Sequence, residues 1–444
     1  MLDKFFRLSE RNTTVKTEIM AGITTFLAMA YILAVNPGML SETGMSFQAV
    51  FLATAIASGV ASILMGVLAD YPVALAPGMG VNALFTYTVC FTFGYSWQAA
   101  LAAVFVSGIF FLIITVTGVR KLIINSIPQD LKFAIGAGIG FFIAFIGFVN
   151  AGIIVSNPAT LVSFGSFKDP AVLLALFGLL LTAILMIRKI NGAVFYGIVI
   201  TTIVGIIMRA LGLEGLHTVL PSAPTGIISF TFDGSAIGAF ASGFADLFSE
   251  PTWIVVLFSF LFVDFFDTAG TLVAIGSNIG LVDKETGELN GVEKALLADS
   301  IGTLFGATLG TSTVTSFVES GSGVAAGGRT GLTAVTTGVC FLLAVFFSPL
   351  LAAVTASATS AALIIVGVLM AGQLKEIQWD DLAIAIPAFL TVITMCLSYS
   401  ISNGIAFGFL AYTVTQIGAG KFKSIKPIIF ILDIIFIAYF ITIS

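Results

Sequence analysis

The sequence predicts an all-α polytopic membrane protein of fourteen transmembrane segments, arranged as a 7+7 inverted repeat. Three observations carry that prediction: too few charges for a soluble surface, long intervals with none at all, and internal similarity between the halves. Of 444 residues, 58% are hydrophobic and only 9% charged, against about 25% charged in an ordinary soluble domain. Mean hydropathy is +1.12. No Asp, Glu, Lys or Arg lies between Asp70 and Arg120, between Lys132 and Lys168, or between Arg329 and Lys375. A helix across a bilayer needs about 20 apolar residues, so each interval holds one or two crossings. The alternating pattern of a membrane β-barrel is absent from the sequence.

Apolar segments fall at 18–40, 48–69, 72–91, 97–118, 130–152, 170–188, 191–211, 253–279, 293–309, 312–327, 330–349, 353–372, 380–400 and 402–418. A fifteenth candidate, 427–443, carries Asp433 and either crosses or lies at the interface. Lys and Arg concentrate on the cytoplasmic side of membrane proteins. With the N-terminus in the cytoplasm and fourteen crossings, sixteen of the eighteen basic residues fall inside, among them Arg11, Arg120, Lys121, Lys284 and Arg329. Only Lys168 and Arg209 fall outside. The predicted location is therefore the cell membrane, multi-pass. The segment 212–252, free of Lys and Arg, becomes an extracellular loop.

Composition excludes several kinds of chemistry. The net charge of −5 comes with no basic stripe, so nucleic acid is not a partner. Cys90, Cys340 and Cys396 lie in apolar stretches and read as packing residues. The single histidine, His217, sits in a predicted loop, which argues against histidine-based metal or triad chemistry. No nucleophile–base pair stands out, so the chain does not read as an enzyme, and no cofactor or metal is expected. The first residues, MLDKFFRLSERNTTVKTEIMAG, lack the short apolar run and cleavage site of a signal peptide.

The halves echo each other. VNPG at 35–38 matches SNIG at 277–280, AIASGVASILMG at 55–66 matches ALLADSIGTLFG at 295–306, and APGMGVNA at 76–83 matches ESGSGVAA at 319–326. INGAVFYG at 190–197 matches ISNGIAFG at 401–408. Two units of seven spans each must lie in opposite orientations, because seven is odd. Inverted repeats with a site between them are a transporter architecture.

Two matched segments cannot be plain helices. In PVALAPGMGVNALF, Pro72 and Pro77 lack a donor N–H, and Gly78 and Gly80 favour non-helical backbone. The expected form is an extended stretch, a turn and a half-helix starting near Gly80. STVTSFVESGSGVAAGG reads alike, with β-branched residues at 313–315 and then Glu319, Gly321 and Gly323. Broken backbone at membrane depth survives where protein or a wet cavity satisfies it. The half-helix N-termini can there meet polar ligand atoms.

Asp264, Asp267, Asp299 and Glu319 sit inside predicted spans, with no Lys, Arg or His at comparable depth. A charge at the bilayer centre costs at least about 2.5–3.5 kcal/mol. Unmated acids must be protonated, hydrogen-bonded or facing a wet cavity. Asp264 and Asp267, at i and i+3 in FVDFFDTAGTL, share a helix face extended by Thr268 and Thr271. They can meet Glu319 at one site, where crowding favours proton uptake near neutral pH. Asp267 could instead orient threonine or backbone groups. Asp299 reads as a bridge between spans. Asn82 can read a heterocycle or cap its half-helix. GSGVAAGGRTG is no phosphate loop, and Arg329 reads as an anchor for its helix end.

TTFLAMAYILAVNP, YPVALAPGMGVNA, FVDFFDTAGTL and TSFVESGSGVAAGGRTGL resemble the AzgA-like purine (hypoxanthine/guanine) permeases. These are a branch of the nucleobase–cation symporters related to the uracil–proton symporter, and the resemblance covers essentially the whole chain. It implies a core domain (17–118 and 253–349, spans 1–4 and 8–11) and a gate domain (119–211 and 350–420, spans 5–7 and 12–14). These lie between a cytoplasmic segment 1–16 and a C-terminal segment 421–444, with short β-strands in segments 3 and 10. Motif by motif, Asn82, Asp264, Asp267 and Glu319 stand at the family's substrate and coupling positions. Other branches often place a Glu and a nearby His in span 8. Here Asp264 stands and no such His exists, so a histidine coupling scheme does not transfer.

The expected activity is proton-coupled import of a purine nucleobase, guanine or hypoxanthine first. An adenine permease of the same family is the alternative, and an anion transporter of similar fold the rival from another class. Glu319 and Asp264 would accept N–H bonds from the base. Backbone N–H groups at Gly78, Gly80, Ser320 and Gly321 would meet its polar atoms, and Phe317 would stack on it or simply pack. Asp264, Glu319 and Asp267 would carry the proton. Sodium as the coupling ion and a homodimer are left open.

Overall fold

The computed structural model describes residues 2–117, 127–216, 218–279 and 291–443. His217, Arg120, Lys121, Lys284 and most of the charged connector after the eighth span lie outside the described residues. In the first half, α1 (Leu2–Phe6), α2 (Val15–Met29), α3 (Ile32–Ser41) and α4 (Phe47–Ala69) precede β1 (Leu75–Pro77) and α5 (Met79–Ala83). Then come α6 (Trp97–Val116), α7 (Gln129–Asn150), the hairpin β2 (Ile154–Asn157) and β3 (Leu161–Phe164), α8 (Pro170–Ile187) and α9 (Ala193–Ala210). The second half runs α10 (Trp253–Asn278), α11 (Val292–Leu309), β4 (Val314–Ser316), α12 (Ser320–Ala325) and α13 (Gly331–Ala344). It closes with α14 (Ala356–Ala371), α15 (Leu382–Leu397), α16 (Ile401–Gly418) and α17 (Pro427–Ile443). Among the described residues, 8 helices are long and apolar enough to cross a membrane.

Helix starts follow local chemistry. Thr14, Ser46, Ser96, Asp169, Thr330, Asp381 and Ser400 each cap a helix, the side-chain oxygen accepting a first-turn N–H. Asp169 is followed by Pro170, whose missing N–H costs nothing in a first turn.

Two features depart from the sequence reading. The first predicted span, 18–40, is interrupted at Ala30 and Tyr31, dividing α2 from α3. Pro37 lies inside α3 and cannot donate to Leu33, which weakens the helix just after the break. The 154–164 hairpin was not expected in an all-α protein. Asn157 makes it, its side-chain oxygen accepting from the N–H groups of Ala159 and Thr160 at the turn.

The helices group into two bodies. α2, α3, α4, α6, α10, α11 and α13 pack with one another and with both broken segments, while α7, α8, α9, α14, α15 and α16 pack among themselves. α17 lies on α16, where buried Asp433 accepts from Thr413 at 2.5 Å.

Glycines permit the closest helix approach in the first body. A Cβ on Gly338 of α13 would stand 2.5 Å from the Gly59 carbonyl of α4, and one on Gly59 would stand 3.0 Å from the Gly338 carbonyl. Gly66 and Gly331 repeat this contact seven residues on in α4 and seven residues back in α13. Lipid supplies no hydrophobic drive to pair helices, so such backbone contact is where packing energy comes from. Gly338→Val should therefore cost about 1–3 kcal/mol and lower the melting temperature of the detergent-purified protein. An unchanged melt would show that these helices separate at little cost.

One end of this body is tied by charge. Arg11 meets Asp70 at 3.1 Å and donates to the carbonyls of Asp70 and Arg329. The other Asp70 oxygen accepts from Gly331 N–H at 2.8 Å. Fully buried Glu18 accepts from the N–H groups of Arg329 and Thr330 and from the Thr333 hydroxyl. The N-terminal segment thereby fixes the loop that follows α12.

Candidate functional site

The two broken segments meet. β1 pairs antiparallel with β4, in the register Leu75 to Ser316, Ala76 to Thr315 and Pro77 to Val314. Gly78 N–H donates to Thr313 O, and Phe317 N–H donates to Ala74 O, which extends the ladder at both ends. The Ser62 hydroxyl bonds both polar groups of Leu75, and Ser320 Oγ accepts from Ala74 N–H. All six strand residues are buried, so every such bond replaces water that a membrane interior lacks. Each strand leads into a short helix. α5 begins at Met79, one residue before the predicted Gly80, and continues as a π-helical stretch, Leu84–Thr92.

Four of the predicted side chains converge here. Glu319 precedes the first residue of α12 without a side-chain capping bond and is half-buried, with Oε1 accepting from the Tyr31 hydroxyl at 2.6 Å. Asp267 of α10 is half-buried, and its Oδ2 lies 3.1 Å from where a Gly78 Cβ would stand. It is within electrostatic reach of Glu319 and Asp299. Asp264, 1% exposed, takes the Thr303 hydroxyl at 3.4 Å, and Thr303 in turn bonds the Val314 carbonyl of β4. Asn82 is fully buried, its Oδ1 accepting from Ser312. Its Nδ2 has no hydrogen-bond partner among the described residues. A buried donor with no acceptor costs about 1–3 kcal/mol, so a ligand acceptor there would relieve it.

Asp299 is the bridge its position suggested. It accepts from Thr268 at 2.7 Å and from Ser316 at 3.5 Å, and Thr268 also bonds Thr315 at 2.7 Å. This joins α10, α11 and β4. Arg329 closes the end of α12, donating to the carbonyls of Val324 and Gly328.

Other predicted residues serve the fold. The N–H groups expected to face a ligand at Gly78, Ser320 and Gly321 donate instead to Thr313, Phe317 and Val318 carbonyls. The reason is the same dry surroundings that require each N–H to be satisfied locally. Phe317 is buried in the main hydrophobic core, which fits its packing reading. Gly80 lies against Ile139 of α7 and Ile401 of α16, where the two helical bodies touch. Gly321 faces open space. The sequence reading missed Tyr31, Ser312 and Thr303. A tyrosine midway along an apolar span was the available signal, since a buried phenol needs a partner for its hydroxyl.

The fold and this crossing of two broken segments define a polytopic membrane transporter. The Permease family profile, that of xanthine/uracil permeases, matches residues 16–407, and the chain belongs to that family. The guanine/hypoxanthine permease PbuG of Bacillus subtilis is 49% identical over 98% of this chain and 99% of its own. The adenine permease AdeP of Escherichia coli is 43% identical over 98% of this chain and 95% of its own. Among solved structures, the transmembrane domain of a cyanobacterial bicarbonate transporter, BicA, superimposes with a TM-score of 0.62. It is 17% identical, over 91% of this chain and 97% of that one, which is a likeness of fold. The chain is a transporter and not an enzyme.

Proposed function

We propose that this protein imports a purine nucleobase, guanine or hypoxanthine in preference to adenine, by proton symport. One observation carries the reading: an acid, Glu319, within electrostatic reach of Asp267, and the buried amide of Asn82 both stand at the β1–β4 crossing. Glu319 forms no ion pair among the described residues, and Asn82 Nδ2 has no acceptor. A purine carries ring N–H donors for the first and carbonyl or ring-nitrogen acceptors for the second. Charged acceptors make the stronger and more directional bonds. Asp264 and Asp267 complete the acidic wall, and a proton taken up with the base would offset its charge. The guanine/hypoxanthine and adenine permeases named above support the substrate class.

The grouping of helices supports a core of spans 1–4 and 8–11 sliding against a gate of spans 5–7 and 12–14, an elevator motion. Gly80 would lie on the sliding surface, against Ile139 and Ile401. The basic residues favour a cytoplasmic N-terminus, and the Thr413–Asp433 bond supports α17 lying beside the gate. Anion transport is the rival suggested by the bicarbonate transporter's fold, but carboxylates around an anion would repel it.

The test is uptake of radiolabelled hypoxanthine into cells expressing the protein. Excess unlabelled guanine should compete more strongly than adenine, and a protonophore should abolish accumulation. Competition by bicarbonate or sulfate without competition by any purine would overturn the substrate assignment. Accumulation that survives the protonophore but needs sodium would overturn the coupling ion alone.

A further inference from the structure

We propose that Tyr31 is the positioning residue for the Glu319 carboxylate, its hydroxyl holding one oxygen so that the other is presented to the ligand. The inference rests on the purine reading for the identity of that ligand, but not for the contact itself. Tyr31 is 2% exposed and sits at the interruption between α2 and α3. Its partner lies 288 residues away at the start of α12, at 2.6 Å. That is a well-formed O–H···O hydrogen bond, of the kind that strengthens when its acceptor is ionised. A third interruption, in span 1, thus joins the two that cross at β1 and β4.

The frame around Tyr31 is rigid on both sides. Downstream, Asn36 is fully buried and donates to Thr54 at 2.7 Å and to Thr311 at 2.8 Å, pinning α3 to α4 and to the approach of β4. Upstream, Thr337 donates to the Gly22 carbonyl at 2.9 Å, and a Cβ on Gly323 of α12 would stand 2.7 Å from the Ala21 carbonyl. A tyrosine whose helices are anchored on both sides limits the rotamer of the acid its hydroxyl bonds, which is how a supporting residue preorganises a site. Tyr31 also lies within electrostatic reach of Asp267. The phenol is thus within reach of both half-buried acids, and its bond to Oε1 keeps Glu319 from turning away from the crossing.

Tyr31→Phe retains the ring and removes only the donor. The KM for hypoxanthine should rise about tenfold, the scale of one lost bond to a charged group, while Vmax per transporter at the surface changes less. In detergent, the hypoxanthine-induced rise in melting temperature should shrink in Tyr31→Phe and in Glu319→Gln. The double variant should be no worse than Glu319→Gln alone, because Tyr31 acts through Glu319. Additive losses would overturn the proposal. An independent readout needs no ligand. The infrared carboxylate band that Glu319→Gln deletes should shift in Tyr31→Phe, and an unshifted band would overturn the proposal whatever the substrate. If the band shifts but the wild-type protein gains no stability from any purine, the purine reading fails and the positioning role stands. If Tyr31→Phe is poorly expressed, Tyr31→Met, which also lacks the hydroxyl donor, should give the same KM rise and the same band shift.

Discussion

Glu319→Gln should reduce hypoxanthine uptake about 100-fold or more, measured as initial rate per transporter at the cell surface. The substitution keeps shape and volume, and the Tyr31 hydroxyl can still donate to the amide oxygen. What it adds is an NH2 where a base would offer its own N–H. Donor then meets donor, and a site built to accept a hydrogen bond rejects such a mismatch by orders of magnitude. The variant also cannot carry a proton on that side chain. Asp264→Asn should fall in the same range, because in the proposed mechanism its acid accepts an N–H of the base and carries a proton, and an amide does neither in the same way. Asp299→Asn provides the contrast. Its amide oxygen still accepts from Thr268, so the loss should be about tenfold at most and should follow stability. Uptake at the wild-type rate in both Glu319→Gln and Asp264→Asn would remove these acids from the mechanism.

What the sequence made legible was what departs from a helix for covalent reasons. Pro72, Pro77 and Gly78 announce a break by lacking an N–H or a Cβ, and β1 lies there. Thr313 to Thr315 announce its mate by β-branching, and the internal echo brings the two segments to matched positions. The pairing itself is a contact across the chain that no local propensity encodes. The break at Ala30 and Tyr31 was hidden because the residues around it, Phe26 to Val35, are apolar apart from the Tyr31 hydroxyl, and Pro37 lies beyond the interruption. The acids were legible because an unmated charge in an apolar span has few explanations. Which oxygen meets which hydroxyl was not. Asp264 turned out to lie on Thr303, and Asp267, not Asp264, proved to be the half-buried member of the pair. The ladder bonds of Gly78 and the turn bonds of Ser320 and Gly321 were likewise hidden, since spacing shows where donors lie and not what they have already met.

Gly78→Ala and Gly321→Ala should separate the fold of the crossing from the space around it. A Cβ on Gly78 would stand 2.5 Å from Thr315 Cγ2 and 3.1 Å from Asp267 Oδ2. Thr315 cannot turn aside freely, because it is β-branched and its hydroxyl is shared with Thr268, which also holds Asp299. The Gly78 N–H and carbonyl are both engaged, with Thr313 and with the N–H of Asn82, so the backbone has little room to give. The added methyl should therefore cost about 1–3 kcal/mol, displace Asp267, and take hypoxanthine uptake to background. A Cβ on Gly321 meets no protein atom within 4 Å, so Gly321→Ala should melt at the wild-type temperature. If that open space is where the base sits, its KM should nonetheless rise, since a methyl would then occupy ligand volume. Thermal melts of the purified variants beside uptake kinetics read both effects. A Gly78→Ala protein with wild-type KM would mean that the β1 junction does not form the site. A Gly321→Ala protein with wild-type KM would place the ligand on the Asn82 and Asp267 side of the crossing.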